Sequence, residues 1–189
     1  MKPFQTVEIV KCPVDDLCRA IRDRLAELVP HLDDIRSVTV EHREELPGGI
    51  VKLVNLWRAE AALPAVLNSV FKPDYFAWTD RATWNAPRRE CTWQIELHFD
   101  RERTRCRGAT RFEPALGGKG ARVVFAGEFS MNARGMRGVP VLLESSIENA
   151  VEAFVTSLIP RNFRKLVHVA ADVATGNQAA AGSTAGLIR

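Results

Sequence analysis

Hydrophobic and polar residues follow two different periods along this chain. From residue 35 to about 130, apolar residues alternate with Arg, Glu, Thr and Lys. A period of two is typical of strands with one buried face. From residue 143 onward, apolar residues recur every three or four positions, which predicts a long helix. The pattern therefore predicts the α+β class: an antiparallel sheet followed by one C-terminal helix.

Turn sequences divide the alternating region into strands. The turn signals include Pro-Gly-Gly at 47–49 and Gly-Gly-Lys-Gly at 117–120. Together with a first strand at 4–10, they predict strands near 35–46, 50–62, 75–84, 90–99, 104–114 and 121–130. Residues 65–71 are compatible with one helical turn between two of these strands.

A short helical region is predicted between the first and second strands. Pro13 and the acidic residues Asp15 and Asp16 are suited to the first turn of a helix. Apolar residues then recur at helical spacing until Pro30. This region is either one bent helix or two short ones.

The C-terminal helix should cover the sheet through one apolar stripe. Ile147 and Phe154 lie at the centre of that stripe, while Glu152 falls on the opposite side with its neighbours Asn149 and Thr156. Pro160 should kink or divide the helix, because proline lacks a backbone donor. We expect a domain over residues 1–174 and a disordered tail over 175–189, where Gly, Ala, Ser, Thr and Asn dominate.

Turn lengths predict which side chains share a face of the sheet, because antiparallel pairing fixes the register. Even-length turns place Trp93 and Leu97 on one face with Phe125, and Glu96 directly opposite Arg107 on the other face. The same reasoning upstream adds three polar residues to the otherwise apolar inner face. These residues are His42, Asn55 and Asp80, beside Trp57 and Trp78.

Composition indicates an ordinary soluble globular domain. The chain is 46% hydrophobic and 26% charged, with a net charge of +3. Such a small net charge does not point to nucleic acid as a partner. No window is long and apolar enough for a signal sequence or a membrane span. The four cysteines lack CxxC spacing, so we expect a cytoplasmic protein with reduced thiols and neither a metal nor another cofactor.

Each candidate residue also has a structural interpretation. The tryptophans are suited to core packing as well as to ligand contact. Asp80 is either a buried acid–base group with a raised pKa or a carboxylate paired with Arg81 or Arg89. His42 either contacts a ligand or makes a structural hydrogen bond. The arginines at 101, 103, 105, 107 and 111 suit a solvated face better than a phosphate site.

The order of elements resembles that of the START-like (SRPBCC) superfamily, which includes polyketide cyclase/dehydrase-type proteins and the birch-pollen allergen. The similarity is carried by VEIVKCPVDDL at 7–17, by the strands with Trp57, Trp78 and Trp84, and by the long terminal helix; it covers residues 3–173. It implies a helix-grip fold, in which a curved seven-stranded antiparallel sheet wraps around the C-terminal helix after two short helices. It also implies a cavity for lipids, polyketides or sterols. No universal catalytic residues accompany this resemblance.

We therefore expect binding or transport of a hydrophobic small molecule in a cavity between sheet and helix. One alternative is a polyketide cyclase or dehydratase that uses Asp80 and His42 as acid and base. Another is a co-chaperone-like interaction module, which should show a filled cavity and an exposed apolar patch. The predicted ligand contacts are His42, Asn55, Trp57, Trp78, Asp80, Trp93, Leu97, Phe125, Ile147 and Phe154.

Overall fold

The structure, a computed structural model, describes residues 1–60, 77–98, 101–136 and 139–176. Within these ranges, seven strands form one antiparallel sheet in the order β1-β7-β6-β5-β4-β3-β2. The strands are β1 (Lys2–Val10), β2 (Ile35–Leu46), β3 (Ile50–Ala59), β4 (Ala77–Asn85), β5 (Glu90–Leu97), β6 (Thr104–Ala115) and β7 (Gly120–Met131). The predicted helical turn at 65–71 lies outside the described residues.

Two short helices follow β1, as the sequence predicts. Helix α1 (Val14–Asp23) begins directly after Pro13, and Asp15 and Asp16 lie in its first turn. Helix α2 (Leu25–Leu28) continues into a 3₁₀ turn over Val29–His31. The helix-grip prediction is confirmed in this part of the chain.

Helix α3 (Glu144–Thr175) is 32 residues long and packs across the inner face of the sheet. It runs through Pro160 without interruption, so the predicted division at this residue does not occur. It ends where Gly176 adopts a left-handed φ of 73°, and the Gly176 N–H bonds to the carbonyl of Asp172. Residues 177–189, most of the predicted tail, lie outside the described part of the chain.

The buried face of α3 includes one residue that the sequence pattern placed on the exposed side. Glu152 was expected on the exposed side, but it is only 7% exposed. Its carboxylate accepts a bond from the backbone N–H of Met131 at 3.4 Å and pairs with the ammonium of Lys2 at 3.2 Å. A carboxylate with a donor and a cation beside it can be buried at low cost, and a hydrophobic pattern alone does not show these partners.

The predicted inner face of β5, β6 and β7 is confirmed, although one register is offset. Thr110 lies opposite Phe125 on β7, so Phe125 shares the inner face as expected. On β5, however, Gln94 and not Glu96 lies opposite Arg107. The offset is two residues, an even number, so each side chain keeps its face.

The charged outer face therefore has different partners from those predicted. Glu96 accepts a hydrogen bond from Nε of Arg81 at 2.8 Å, on the neighbouring strand β4. Arg107 pairs instead with Glu128 on β7 at 2.7 Å. Both arginines are largely exposed, so these pairs contribute about 0.2–1 kcal/mol each.

The prediction that His42 shares a face with Asn55 is wrong. The β2–β3 turn has three residues rather than an even number, since Leu46 pairs with Ile50. A β-bulge between Val40 and His42 then changes the register, so that Val40 lies opposite Asn55. A bulge adds one residue to one strand and moves the residues beyond it to the other face. Counted from the turn, His42 comes before the bulge, so the three-residue turn places it opposite Val54, exposed on the outer side. Beyond the bulge, Val40 and Val38 return to their predicted face, opposite Asn55 and Trp57.

Candidate functional site

A cavity of about 160 Å³ lies between the inner face of the sheet and α3. Strands β2 to β7 form its floor, α3 covers it, and α1 and α2 contribute apolar side chains at one end. Eight of the ten predicted contact residues line it: Asn55, Trp57, Trp78, Asp80, Trp93, Leu97, Phe125 and Phe154. His42 is exposed, and Ile147 is buried in the core beyond the cavity wall.

Stacked aromatic rings form much of the cavity wall. Trp57 and Trp78 lie opposite each other on β3 and β4, with ring centroids 5.8 Å apart and planes 5° apart. Phe125 on β7 stacks on Trp93 at 4.8 Å and on Phe163 of α3 at 4.1 Å. These contacts join the sheet to the helix and leave flat ring surfaces facing the cavity.

Trp93 lies over two glycines that face each other across strands, Gly108 on β6 and Gly127 on β7. A Cβ atom on Gly108 would be 2.3 Å from Cζ2 of Trp93, and one on Gly127 would be 2.4 Å from Cη2. The indole of Trp93 therefore occupies the space that a side chain at position 108 or 127 would fill. Its Nε1–H donates a hydrogen bond to Oγ1 of Thr110 at 3.2 Å, which fixes the orientation of the ring.

Asn55 and Asp80 form a polar pair in this apolar wall. They lie directly opposite each other on β3 and β4, and Nδ2 of Asn55 donates to Oδ2 of Asp80 at 3.3 Å. Removal from water raises the pKa of Asp80 to about 6, against a smaller lowering by the Asn55 hydrogen bond. The carboxyl group can therefore exchange a proton near neutral pH.

The two arginines considered as partners of Asp80 bind elsewhere. Arg81 pairs with Glu96, and Arg89 pairs with Asp15 at 2.8 Å. No ion pair joins Asp80 to any residue in the described ranges. The carboxylate thus lies in the cavity wall with the Asn55 amide as its polar partner.

Two further polar atoms are buried without a hydrogen-bond partner among the described residues: Oδ1 of Asn55 and Nε1 of Trp57. Asn55 is 2% exposed and Trp57 is 8% exposed, so water reaches neither side chain freely. A buried polar group without a partner costs about 1–3 kcal/mol. One unpaired acceptor and one unpaired donor therefore belong to residues that line the same cavity.

The two thiols near the cavity have raised pKa values. Cys91 lines the cavity and Cys106 is buried beside it. Burial raises the pKa of Cys106 to about 12, and burial also raises the pKa of Cys91 well above that of a free thiol. Both thiols remain protonated at neutral pH and are poor nucleophiles. Within the described ranges, no cluster of His, Cys, Asp and Glu side chains could hold a metal ion.

Sequence reasoning missed several members of the site. Phe112 continues the inner-face alternation of Thr110 and lines the cavity, so the period of two could have identified it. Phe163 and Asn162 line the cavity from the second half of α3. No sequence signal indicated how far the cavity extends along the helix.

Comparison with solved structures places the chain in a known fold class. It superimposes on the Zhui aromatase/cyclase from Streptomyces sp. R1128 with a TM-score of 0.66 and 17% identity, covering 97% of this chain and 99% of that one. A Thermus thermophilus protein, TTHA0849, gives a TM-score of 0.63 and 16% identity over 94% of this chain and 100% of that one. The di-domain aromatase/cyclase StfQ of the steffimycin pathway gives 0.58 and 15%, covering 93% of this chain and 51% of the larger protein.

No protein-family model matches the sequence, and no curated protein matches it. At these identities the likeness concerns the fold. The chain has the helix-grip fold found in polyketide aromatase/cyclases, which confirms the predicted architecture and its resemblance. In the part of the chain that the structure describes, no helix has the length and hydropathy needed to span a membrane.

Proposed function

We propose that this protein binds a small, ring-containing apolar molecule in the cavity beneath α3. The observation that supports this most directly is the cavity wall, in which stacked tryptophan and phenylalanine rings surround a small set of inward polar groups. Ligand sites in proteins commonly combine a mainly apolar lining with a small number of well-placed polar atoms. The predicted interaction module is less well supported, because it requires a filled cavity.

The volume of the cavity limits the size of the ligand. At about 160 Å³ it is close to the roughly 150 Å³ of an engineered cavity that holds benzene. Sites for drug-sized molecules are roughly 300–1,000 Å³. The ligand is therefore a molecule with about one ring, and a multi-ring polyketide would require α3 to move outward.

Filling the cavity provides the test. Ala82 lies on β4 in the cavity wall and is 5% exposed, whereas Ala126 on β7 lies on the outer face. Ala82→Leu should lower the affinity for toluene and 4-ethylphenol at least about tenfold, because the added carbon atoms occupy the binding space. Ala126→Leu makes the same substitution on the other face and should bind both probes as the parent protein does.

Isothermal titration calorimetry measures both affinities, and circular dichroism confirms that each variant is folded. Equal affinities of the two variants for toluene would rule out the cavity as the binding site. If the parent protein bound neither toluene nor 4-ethylphenol, the proposed function itself would be ruled out.

A second candidate is an acid–base enzyme that uses the same cavity. The raised pKa of Asp80 is the observation that favours it, because a group with a pKa near the working pH transfers protons efficiently. In this hypothesis the ionised Asp80 carboxylate takes a proton from the carbon next to a ligand carbonyl, and the electron pair of the broken C–H bond moves onto the carbonyl oxygen to give an enolate. His42, the predicted second group, lies outside the cavity and has no part in it.

This candidate makes a distinct prediction. Asp80→Asn should reduce exchange of the acidic C–H protons of a 1,3-diketone, such as 1-phenylbutane-1,3-dione, with deuterium to the rate measured without protein. Because the substitution preserves the shape of the side chain, the variant should still bind the diketone. Exchange at the parental rate in the variant would exclude Asp80 as the acid–base group. NMR measures both the exchange and the binding.

A further inference from the structure

The hydrogen-bonding groups of the cavity are unbalanced. Asp80 offers two carboxylate oxygens, of which Oδ2 accepts the Asn55 amide, and Oδ1 of Asn55 has no partner among the described residues. The unpaired donor is Nε1–H of Trp57. Acceptors are therefore in excess at the Asn55–Asp80 pair. A ligand that satisfies them must carry several N–H or O–H donors at one end.

The charge of the wall is unbalanced in the same direction. The described residues that line the cavity include no Lys, Arg or His, and Asp80 is their one acidic side chain. A carboxylate on a ligand would have no cationic partner there and would be repelled by Asp80. A cation would instead neutralise a buried carboxylate that lacks a counter-ion.

The aromatic rings add a second attraction for a cation. Trp57, Trp78, Trp84 and Trp93 all line the cavity. The negative face of an indole ring attracts an ammonium group within about 6 Å of the ring. A carboxylate enclosed by aromatic rings is a chemical environment suited to an ammonium ion.

We propose that the cavity selects a small arylalkylamine in its cationic form, with Asp80 as the counter-ion of the ammonium group. The inference rests on the proposed function and names the chemical class of its ligand. The ammonium group donates to the carboxylate of Asp80, and the ligand ring stacks among the tryptophans.

Three probes of similar size test the charge preference. They are 2-phenylethylamine, which is cationic, 2-phenylethanol, which is neutral, and phenylacetate, which is anionic. The parent protein should bind the amine at least about fivefold more tightly than the alcohol, and phenylacetate more weakly than either. Isothermal titration calorimetry at pH 7.5 measures all three affinities.

Asp80→Asn removes the charge and retains the shape of the side chain. It should weaken binding of the amine at least about tenfold and change binding of the alcohol less than about threefold. Glu96→Gln is the matched control, because Glu96 carries the same charge on the outer face, where it pairs with Arg81. It should leave both affinities unchanged.

The pH dependence of the parent protein gives a measurement that needs no variant. Asp80 faces Asn55 on β3, Ile95 on β5 and the thiols of Cys91 and Cys106, while the residues that line the cavity from α1, α2 and α3 are uncharged. The thiols do not titrate in this range. With the pKa of Asp80 at about 6, the ionised fraction falls about tenfold between pH 7.5 and pH 5.0. Affinity for the amine should fall by that factor, and affinity for the alcohol should remain constant.

The possible results separate the inference from the function on which it rests. If the alcohol binds as tightly as the amine, the charge preference is overturned while the proposed function remains. A loss of amine binding in Glu96→Gln equal to that in Asp80→Asn would also overturn it, because the effect would then come from net charge. Failure of toluene, the alcohol and the amine to bind would overturn the proposed function and the inference together.

Discussion

At the scale of single residues, Asp80 opposes the stability of the fold at neutral pH. Its pKa of about 6 in the folded protein lies above the value of about 3.9 expected in an unfolded chain. The folded state therefore binds the proton more tightly, and the contribution of Asp80 to stability is greatest below pH 4. That contribution is lost as the pH rises to about 6.

Replacing Asp80 should therefore stabilise the protein in a pH-dependent way. Asp80→Asn should raise the free energy of unfolding by about 1–3 kcal/mol at pH 7.5, because a buried charge is removed. At pH 4 the parent carboxyl is protonated, so the two proteins should be nearly equally stable. Urea denaturation at both pH values measures the difference. A variant that is less stable at pH 7.5 would show that Asp80 has a compensating partner.

The sequence predicted the positions of Asn55 and Asp80 but not their surroundings. Alternation and turn parity place both side chains on the inner face, and the β3–β4 pairing confirms this. The error at His42 arises from the β2–β3 turn, which has three residues where an even number was assumed, and the bulge beyond His42 then restores the predicted pairing of Val40 with Asn55. The unpaired atoms of Asn55 and Trp57 depend on packing between distant segments, which a strand pattern does not contain.

At the scale of elements, α3 packs in the core near its beginning and lines the cavity farther along its length. Near its beginning, Ile147 is 3% exposed and packs in the core, whereas Phe154, two turns later, lines the cavity. The helical period predicted both residues on one stripe and did not separate them. The difference arises because the space between helix and sheet opens beside Phe154 and not beside Ile147.

This division should separate stability from binding. Ile147→Ala should cost about 2–5 kcal/mol of unfolding free energy, because it leaves a void in the core. It should leave the affinity for 4-ethylphenol within about twofold, since a residue outside the cavity makes no contact with the ligand. Phe154→Ala should change that affinity by a larger factor. Chemical denaturation and calorimetry on the same samples measure both effects, and a similar change in affinity for the two variants would contradict the assignment.

At the scale of the whole molecule, the element order, the sequence at 7–17 and the tryptophan-bearing strands together predicted the fold. A strand, two short helices, six strands and a long helix allow α3 to close the inner face of the sheet.

Ion pairs then hold α3 at several points along its length. Arg161 pairs with Asp34 at 2.6 Å, and Arg164 pairs with Glu8 on β1 at 2.9 Å. Sequence patterns did not predict these pairs, because each joins segments more than 100 positions apart.

The end of α3 marks the expected end of the domain. The apolar stripe includes Val173, which is 6% exposed, and the helix ends at Gly176. A truncated chain ending at Gly176 should keep its melting temperature within about 1 °C, because the removed residues include few large apolar side chains. Differential scanning calorimetry measures this. A decrease of several degrees would show that the segment after Gly176 packs on the domain.

Trp93 and the glycine pair beneath it determine which substitutions can enlarge the cavity. Gly108 and Gly127 cannot acquire side chains while the indole lies over them, since an added Cβ would be less than 2.5 Å from the ring. A smaller residue at position 93, in contrast, would open space at once above both glycines, at a cost of about 3–5 kcal/mol for a change as large as Trp to Ala. A single substitution at Trp93 would therefore enlarge the space available to a ligand, whereas the two glycine positions would stay closed even without the indole. A Cβ on Gly108 would lie 2.2 Å from the carbonyl oxygen of Ala126, and one on Gly127 would lie 2.8 Å from that of Arg107.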